Sequence, residues 1–307
     1  MSVTAIHSLL QRPAISCKSI LSSFRSRVGR WAMAGVSVLL LGFTTVPAWR
    51  HLYPASAAPG WSMQVRFDAI ERVSALAPDG RGGLYVSQEF DDGKGRILRL
   101  GANGDSKAVE TGLSKPDGMV PYRGGVVFSQ EGGEQPVYWM NDHGIQQLLS
   151  GANIEGVATD GHFLYAIEDL KSDGRLLRYN PESGATETLR SGLEEAEAVT
   201  ACPDGRLFYS EKKRGQIKQL LPDGNDRIVL DGLNAPGFLL CNREGLWVTE
   251  DTTHMARLLL MDSQGHVHEI LTHLRSAQTL VETAPGLYLL AEQGRNRVLE
   301  LKRTEKN

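Results

Sequence analysis

Short runs of apolar residues that end in a polar side chain recur along this chain. They are LYVSQ (84–88), VVFSQ (126–130), LYAIE (164–168), LFYSE (207–211), LWVTE (246–250) and LYLLAE (287–292). Each is rich in β-branched and aromatic residues and too short for an amphipathic helix, so each predicts a β-strand. A turn precedes every copy: PDGRGG, PYRGG, TDGH, CPDGR, NREG and TAPG. A second apolar run, such as GRILRL, RLLRY, QIKQLL, ARLLLM or NRVLEL, follows. The segments GANGDS, NDHG, NPESG, LPDGND and DSQGH carry the Asn, Asp and Gly that tight hairpins need. The turns recur about every 41 residues, the length of one four-stranded propeller blade. The pattern predicts an all-β chain, a six-bladed β-propeller in which each copy supplies strands A to D.

The sixth copy ends at LELKRTEKN with no fourth strand behind it. The missing strand is expected at the other end of the body. There, VRFDAIERVSAL (65–76) matches the D-to-A tails VETGLSKPDGMV (109–120), LRSGLEEAEAV (189–199) and IVLDGLNAPGFL (228–239). An N-terminal strand joining the last blade would close the ring and remove two exposed sheet edges. The propeller is expected over 63–302, followed by a tail at 303–307.

The first part of the chain reads differently. Residues 1–67 contain no acid, and residues 1–30 form a basic leader with Arg12, Lys18, Arg25, Arg27 and Arg30. An uncharged run follows, WAMAGVSVLLLGFTTVPAW (31–49), and then the Pro/Ala-rich segment 50–62. A positive flank before an apolar stretch points to a signal peptide or a transmembrane anchor. Ala55, Ser56 and Ala57 form a small-residue cleavage pattern, whereas Arg50 and His51 separate it from the apolar run. Cleavage and retention both stay open. Export is the expectation, to the periplasm or the outer face of a membrane. The alternative is organelle targeting, because the leader is also rich in Ser and Arg.

Setting the leader aside changes the charge. The chain has 33 basic and 36 acidic residues; without the six basic residues up to position 62 the body has 27 against 36. An acidic body with no basic stripe excludes nucleic acid as a partner and can attract cations. Cys202 and Cys241 occupy one slot of consecutive copies. Corresponding points of neighbouring blades are expected to lie beyond disulfide reach, so both read as small buried residues. There is no Gly-x-Ser-x-Gly, phosphate loop or metal-type cysteine pair. His254 is the only histidine placed to act as a general base; His266, His268 and His273 belong to the opposite face.

Strand A of each blade lines the central channel, and the start of A shares a face with the end of B. Aligning the copies puts Ser74, Asp117, Glu155, Glu197, Gly237 and Gln278 at the starts of the A strands. Gln88, Gln130, Glu168, Glu211, Glu250 and Glu292 stand at the ends of the B strands. Asp117, Glu155 and Glu197 thus bring three carboxylates around one axis. They require raised pKa values, a bound cation or countercharges such as Arg72, Lys212 and Lys213. Oxygen-only ligands suit Ca²⁺ or Mg²⁺. The bland alternative is a solvated acidic mouth.

The tail GLSKPDGMV, the turn CPDGRLFYSE and the ending AEQGRNRVLEL resemble the senescence-marker-protein/gluconolactonase group and the related NHL-repeat propellers, over residues 63–302. The resemblance implies a calcium-like ion in the channel, held by acid and amide side chains at the A-strand starts, and hydrolysis of a lactone or phosphoester. Asp117 in PDGM matches the family's acidic ligand, and Glu155 and Glu197 fall where the family often has asparagine. The family's Glu-Gly-Pro motif is replaced by Val73, Ser74 and Ala75, which removes one acidic ligand, and Gly237 empties another slot.

Two functions follow as expectations. One is an exported, metal-dependent hydrolase acting on a lactone or small ester. The other is a non-catalytic propeller that binds a partner protein or ligand through its acidic central face. A lyase or isomerase on the same scaffold is a third.

Overall fold

The computed structural model describes residues 52–304; the leader and the apolar run 31–49 lie outside the described residues, as does the end of the tail. Among the described residues no helix is long and apolar enough to cross a membrane. The body is a six-bladed β-propeller. Blade 1 consists of Val73–Pro78, Leu84–Gln88, Gly95–Leu100 and Ser106–Leu113, and blade 2 of Met119–Tyr122, Gly125–Phe128, Glu134–Asn141 and Gly144–Ala152. Blade 3 is Ile154–Thr159, Leu164–Glu168, Gly174–Tyr179 and Thr186–Leu193; blade 4 is Val199–Ala201, Leu207–Glu211, Gln216–Gln219 and Arg227–Leu230. Blade 5 holds Pro236–Asn242, Gly245–Glu250, Ala256–Met261 and Val267–Leu274. In each of these blades the strands are antiparallel neighbours in chain order.

Blade 6 is built from both ends of the body. Ala277–Ala284, Leu287–Glu292 and Arg297–Arg303 supply its inner strands, and Trp61–Phe67 pairs antiparallel with the last of these, with Met63 opposite Leu301. Part of the segment expected as linker is also ordered: Ser56–Ala57 adds a fifth strand to blade 5, with Ser56 opposite Thr272. Apolar contact explains the docking. Ala55, Ala57, Trp61 and Met63 pack against the buried core of blades 5 and 6. The Trp61 ring meets Trp247 edge-on with centroids 5.6 Å apart.

The core is a set of layers between blades, because each sheet is apolar on both faces. One polar device recurs at the seams. Except at Glu211 of blade 4, the residue at each B-strand end bonds to the chain leaving the blade before it, Gln88 Nε2 donating to Glu71 O at 2.7 Å and the others accepting. Gln130 Oε1 accepts from Ser114 N at 2.8 Å, Glu168 Oε1 from Ala152 N at 3.0 Å, Glu250 Oε1 from Asn234 N at 2.8 Å and Glu292 Oε1 from Arg275 N at 3.0 Å.

The two cysteines correct an expectation. Cys202 and Cys241 form a disulfide, with their Cα atoms 4.9 Å apart. Cys202 directly follows the A strand of blade 4 and Cys241 lies near the end of that of blade 5; A strands converge near the axis, and Cys241 N already reaches Thr200 Oγ1 of the adjacent blade at 3.3 Å. Equivalent points are far apart on outer strands but not on inner ones.

Candidate functional site

Every blade delivers its innermost polar residues by the same local geometry. Two residues before each of Ser74, Asp117, Glu155, Glu197, Gly237 and Gln278 the backbone is left-handed: Arg72 (φ 53°), Lys115 (50°), Asn153 (48°), Glu195 (47°), Ala235 (51°) and Ser276 (44°). Such a conformation is strained for residues other than glycine, and it persists here because the frame demands it. Each of these residues presents its carbonyl to the N–H of the residue just past a B strand. The bonds are Glu89 to Arg72 (2.9 Å), Glu131 to Lys115 (2.9 Å), Asp169 to Asn153 (2.9 Å), Lys212 to Glu195 (2.8 Å), Asp251 to Ala235 (2.8 Å) and Gln293 to Ser276 (3.0 Å).

The A-strand starts then bulge. The register slips between Val73 and Leu76, Ile154 and Val157, Pro236 and Leu239, and Ala277 and Leu280. A bulge leaves its residues outside the ladder and re-aims their side chains. Ser74, Glu155, Gly237 and Gln278 sit on these bulges; Asp117 and Glu197 lie just ahead of their strands. Hydroxyls hold several in place: Ser87 Oγ accepts from Ala75 N (2.7 Å), Ser129 Oγ from Gly118 N (3.0 Å), Ser210 Oγ from Ala198 N (2.9 Å) and Thr249 Oγ1 from Phe238 N (3.0 Å). The blades must also approach closely. A Cβ on Gly118 would lie 2.2 Å from Glu155 O, and one on Gly156 would lie 2.5 Å from Glu197 O.

Two rings result. The inner ring is Ser74, Asp117, Glu155, Glu197, Gly237 and Gln278, all buried. The second, nearer solvent, is Glu89, Glu131, Asp169, Lys212, Asp251 and Gln293. Sequence alignment of the copies found the first ring and missed the second. It took Glu168, Glu211, Glu250 and Glu292 as the mouth instead, one residue too early. Those acids turn into the blade seams and are neutralised there by Arg175, Lys218, Arg257, and Arg295 with Arg297. The signal was present, since an acid or amide follows the strand end in most copies, but strand alternation had to be read one step further.

The rings are charged unevenly. On the side of blades 4 and 5, Lys212 Nζ bonds Glu197 and lies 2.9 Å from Asp251 Oδ2, and Gln278 Nε2 donates to Asp251 Oδ1 at 3.0 Å. Lysine therefore neutralises Glu197, the countercharge reading. At Gly237 a Cβ would sit 3.4 Å from Glu197 Oε2 and from Thr249 Oγ1, an ordinary contact distance, so the slot has room for a small side chain and contributes no ligand.

On the side of blades 1 to 3 acids dominate. Glu89, Asp117 and Glu131 can place one oxygen each within 4.8 Å of one another, and so can Glu131, Glu155 and Asp169. Lys115 bonds Glu131 and lies 3.7 Å from Glu89, Ser74 Oγ donates to Asp117, and Gln293 Nε2 donates to Glu89. Burial, followed by the charges of Glu89 and Glu131, pushes Asp117 well above the usual carboxylate range. Burial and then Glu197, Asp117 and Glu131 do the same to Glu155. Asp169, raised to about 6 by burial and by Glu131, lies beside Glu155, and its Oδ1 has no hydrogen-bond partner. Asp117 and Glu155 are thus brought into two overlapping carboxylate groups, while Glu197 is drawn off to lysine. His254 belongs to neither group; its carbonyl accepts from Thr252 Oγ1 at 2.9 Å.

No family model matches the sequence. No curated protein is significantly similar to it. Solved structures are similar in fold. A gluconolactonase from Xanthomonas campestris superposes with a TM-score of 0.68 at 13% identity, covering 81% of this chain and 91% of that one. A putative gluconolactonase gives 0.64 at 12% identity, covering 80% and 93%. A streptogramin B lyase gives 0.59 at 12% identity, covering 81% and 100%. At these identities the likeness is one of architecture: the chain shares the six-bladed propeller of lactonase- and lyase-type proteins.

Proposed function

We propose that the chain is an exported hydrolase of a lactone or small ester that works with a divalent cation, Ca²⁺ or Mg²⁺. The observation that carries this reading is the pair of overlapping carboxylate groups around Glu131. Five acids, Glu89, Asp117, Glu131, Glu155 and Asp169, share that side of the rings with one bonded lysine. The donor set is oxygen throughout, as hard cations prefer, and the unpartnered Asp169 Oδ1 is a group a cation would satisfy. The fold likeness to gluconolactonases supports the same reaction class.

Asp117, Glu131, Glu155 and Asp169 would hold the ion, with Glu197 kept at the edge by Lys212. When bound, it supplies Lewis acidity toward an ester carbonyl. The chain's own residues do the rest. Without the ion, Asp169 is raised to about 6 by burial and by Glu131, so cation binding would displace a proton there at mildly acidic pH. Ser74 and Gln293 orient Asp117 and Glu89, so the carboxylates meet a substrate already aligned. The disulfide supports export, because such bonds persist in oxidising compartments.

The test combines metal analysis of the purified protein with a lactone and ester panel, run with calcium, magnesium and EDTA. Hydrolysis lost with EDTA and restored by either ion supports the proposal. A protein that neither binds the ions nor cleaves any panel member refutes it and favours the non-catalytic reading.

A further inference from the structure

We propose that the channel below the carboxylate rings binds one unbranched, uncharged aliphatic chain, with a hydrogen-bond acceptor at its head against Thr279. The substrate of the site above would then be a lactone or ester bearing an n-alkyl or acyl tail. This rests on the proposed hydrolase reading for its chemistry, but not for its binding.

The channel is a cavity of about 260 Å³ lined by the A strands. Its upper collar is made of Gly118, Gly156 and Ala198, which directly follow Asp117, Glu155 and Glu197, so the cavity begins where the acids end. Phe238, which follows Gly237, stands at the collar too; below it Met119, Val157, Val199, Leu239 and Leu280 form the apolar part of the wall, with Glu282 at the far end, where it accepts from Asn242 Nδ2. From Gly156 to Thr159 the wall runs three strand residues, roughly 10 Å. That shape suits a narrow chain rather than a ring.

Three threonines line this channel, and two are engaged. Thr159 Oγ1 donates to Phe163 O at 2.8 Å, and Thr200 Oγ1 accepts from Cys241 N. Thr279 is 8% exposed, and its Oγ1 is buried without a hydrogen-bond partner. Valine has the same shape and would avoid the penalty of a buried, unsatisfied hydroxyl, so a purely structural position gains nothing from threonine. Thr279 also follows Gln278 of the inner ring, which sets the hydroxyl at the top of the channel. A carbonyl or ring oxygen there would accept its proton. The charge above bears on the head group: without the ion, acids dominate the rings, so an anionic fatty acid is repelled and a neutral lactone or ester is admitted.

The experiment uses two homologous series on the purified protein, with and without calcium. Methyl ketones with n-alkyl chains report binding by calorimetry, and γ-lactones with the same chains report turnover. Affinity for the ketones is expected to rise about fourfold per methylene, then level off once the chain fills the channel. Thr279→Val is expected to weaken ketone binding about five- to tenfold while leaving the melting temperature unchanged or higher. Val157→Phe, at a half-buried wall position, should shorten the chain at which affinity levels off. Ketone affinity independent of chain length overturns the inference, as does a Thr279→Val protein that is less stable but binds unchanged. Lactone hydrolysis without chain-length dependence would remove the channel inference and leave the hydrolase standing. Chain-length-dependent ketone binding with no lactone hydrolysis would do the reverse.

Discussion

Lys212 of blade 4 reaches the Asp251 carboxylate of blade 5 at 2.9 Å while also bonding Glu197, and so divides the central rings into a neutralised half and an acidic half. Burial and the Lys212 ammonium act in opposite directions on Glu197, with burial the stronger, so its pKa stays well above the ordinary value. Lys212→Met leaves a buried carboxylate without its partner, at a cost of about 3–5 kcal/mol. Because Glu197 can take up a proton instead, the loss should be large at pH 8 and much smaller at pH 5. Urea unfolding at the two pH values checks this; an equal loss at both would mean that Lys212 acts through packing.

The cation-free protein should become less stable as pH rises above about 4. Glu89, Asp117, Glu155, Asp169 and Glu197 are all raised by burial, so the folded state retains protons that the unfolded chain releases. Stability from these groups is full below the unfolded pKa and is lost as pH climbs through the folded values, which are about 6 for Asp169 and well above the ordinary carboxylate range for the inner ring. Asp79, Asp160 and Asp226 are lowered and act in the opposite sense in stronger acid. Melting temperature in EDTA should therefore peak at mildly acidic pH, and millimolar calcium should raise it at pH 8 but not at pH 4.5.

Glu155→Gln separates a ligand from a structural acid. Removing a buried charge that lacks a countercation should stabilise the EDTA-treated protein at pH 8 by about 1–2 kcal/mol. The same change should abolish most of the calcium-induced stabilisation. Differential scanning fluorimetry with a calcium series reads both. A variant that keeps the wild-type calcium shift would exclude Glu155 from the ligand set.

The Cys202–Cys241 bridge closes a loop of sequence separation 39. Chain entropy assigns such a bridge about 4 kcal/mol. Cys202→Ser with Cys241→Ser should lower unfolding stability by up to that amount. Thiol counting on the denatured, unreduced protein should find neither Cys202 nor Cys241 free.

Truncation distinguishes the two N-terminal strands. Of the described strands, a chain beginning at residue 58 loses the short Ser56–Ala57 alone and should stay folded, with a small drop in melting temperature. One beginning at residue 68 loses Trp61–Phe67 and exposes the edge of Arg297–Arg303. It should aggregate. Size-exclusion chromatography of the two products is sufficient.

Much of this was legible because a repeat supplies its own alignment. LYVSQ, LYAIE, LFYSE and LYLLAE coincide with B strands residue for residue, and the tail VRFDAIERVSAL pointed to a strand at 65–70 completing blade 6, which the structure instead places at Trp61–Phe67. The inner ring followed from the same register. The second ring did not. An acid at the end of a strand and an acid one residue later look alike in a sequence, yet Glu168 enters a seam beside Arg175 and Asp169 faces the axis.

The amino-acid sequence by itself determined the blade count, the strand order and the unequal distribution of acids, because these depend on local pattern and on periodicity. Only the tertiary structure decided which acids face one another, that Lys212 withdraws Glu197, and that Cys202 meets Cys241. Those outcomes depend on bulges and left-handed residues that re-aim side chains across the axis. The Cys202–Cys241 and Lys212–Asp251 contacts each join residues 39 positions apart, and no local pattern encodes them.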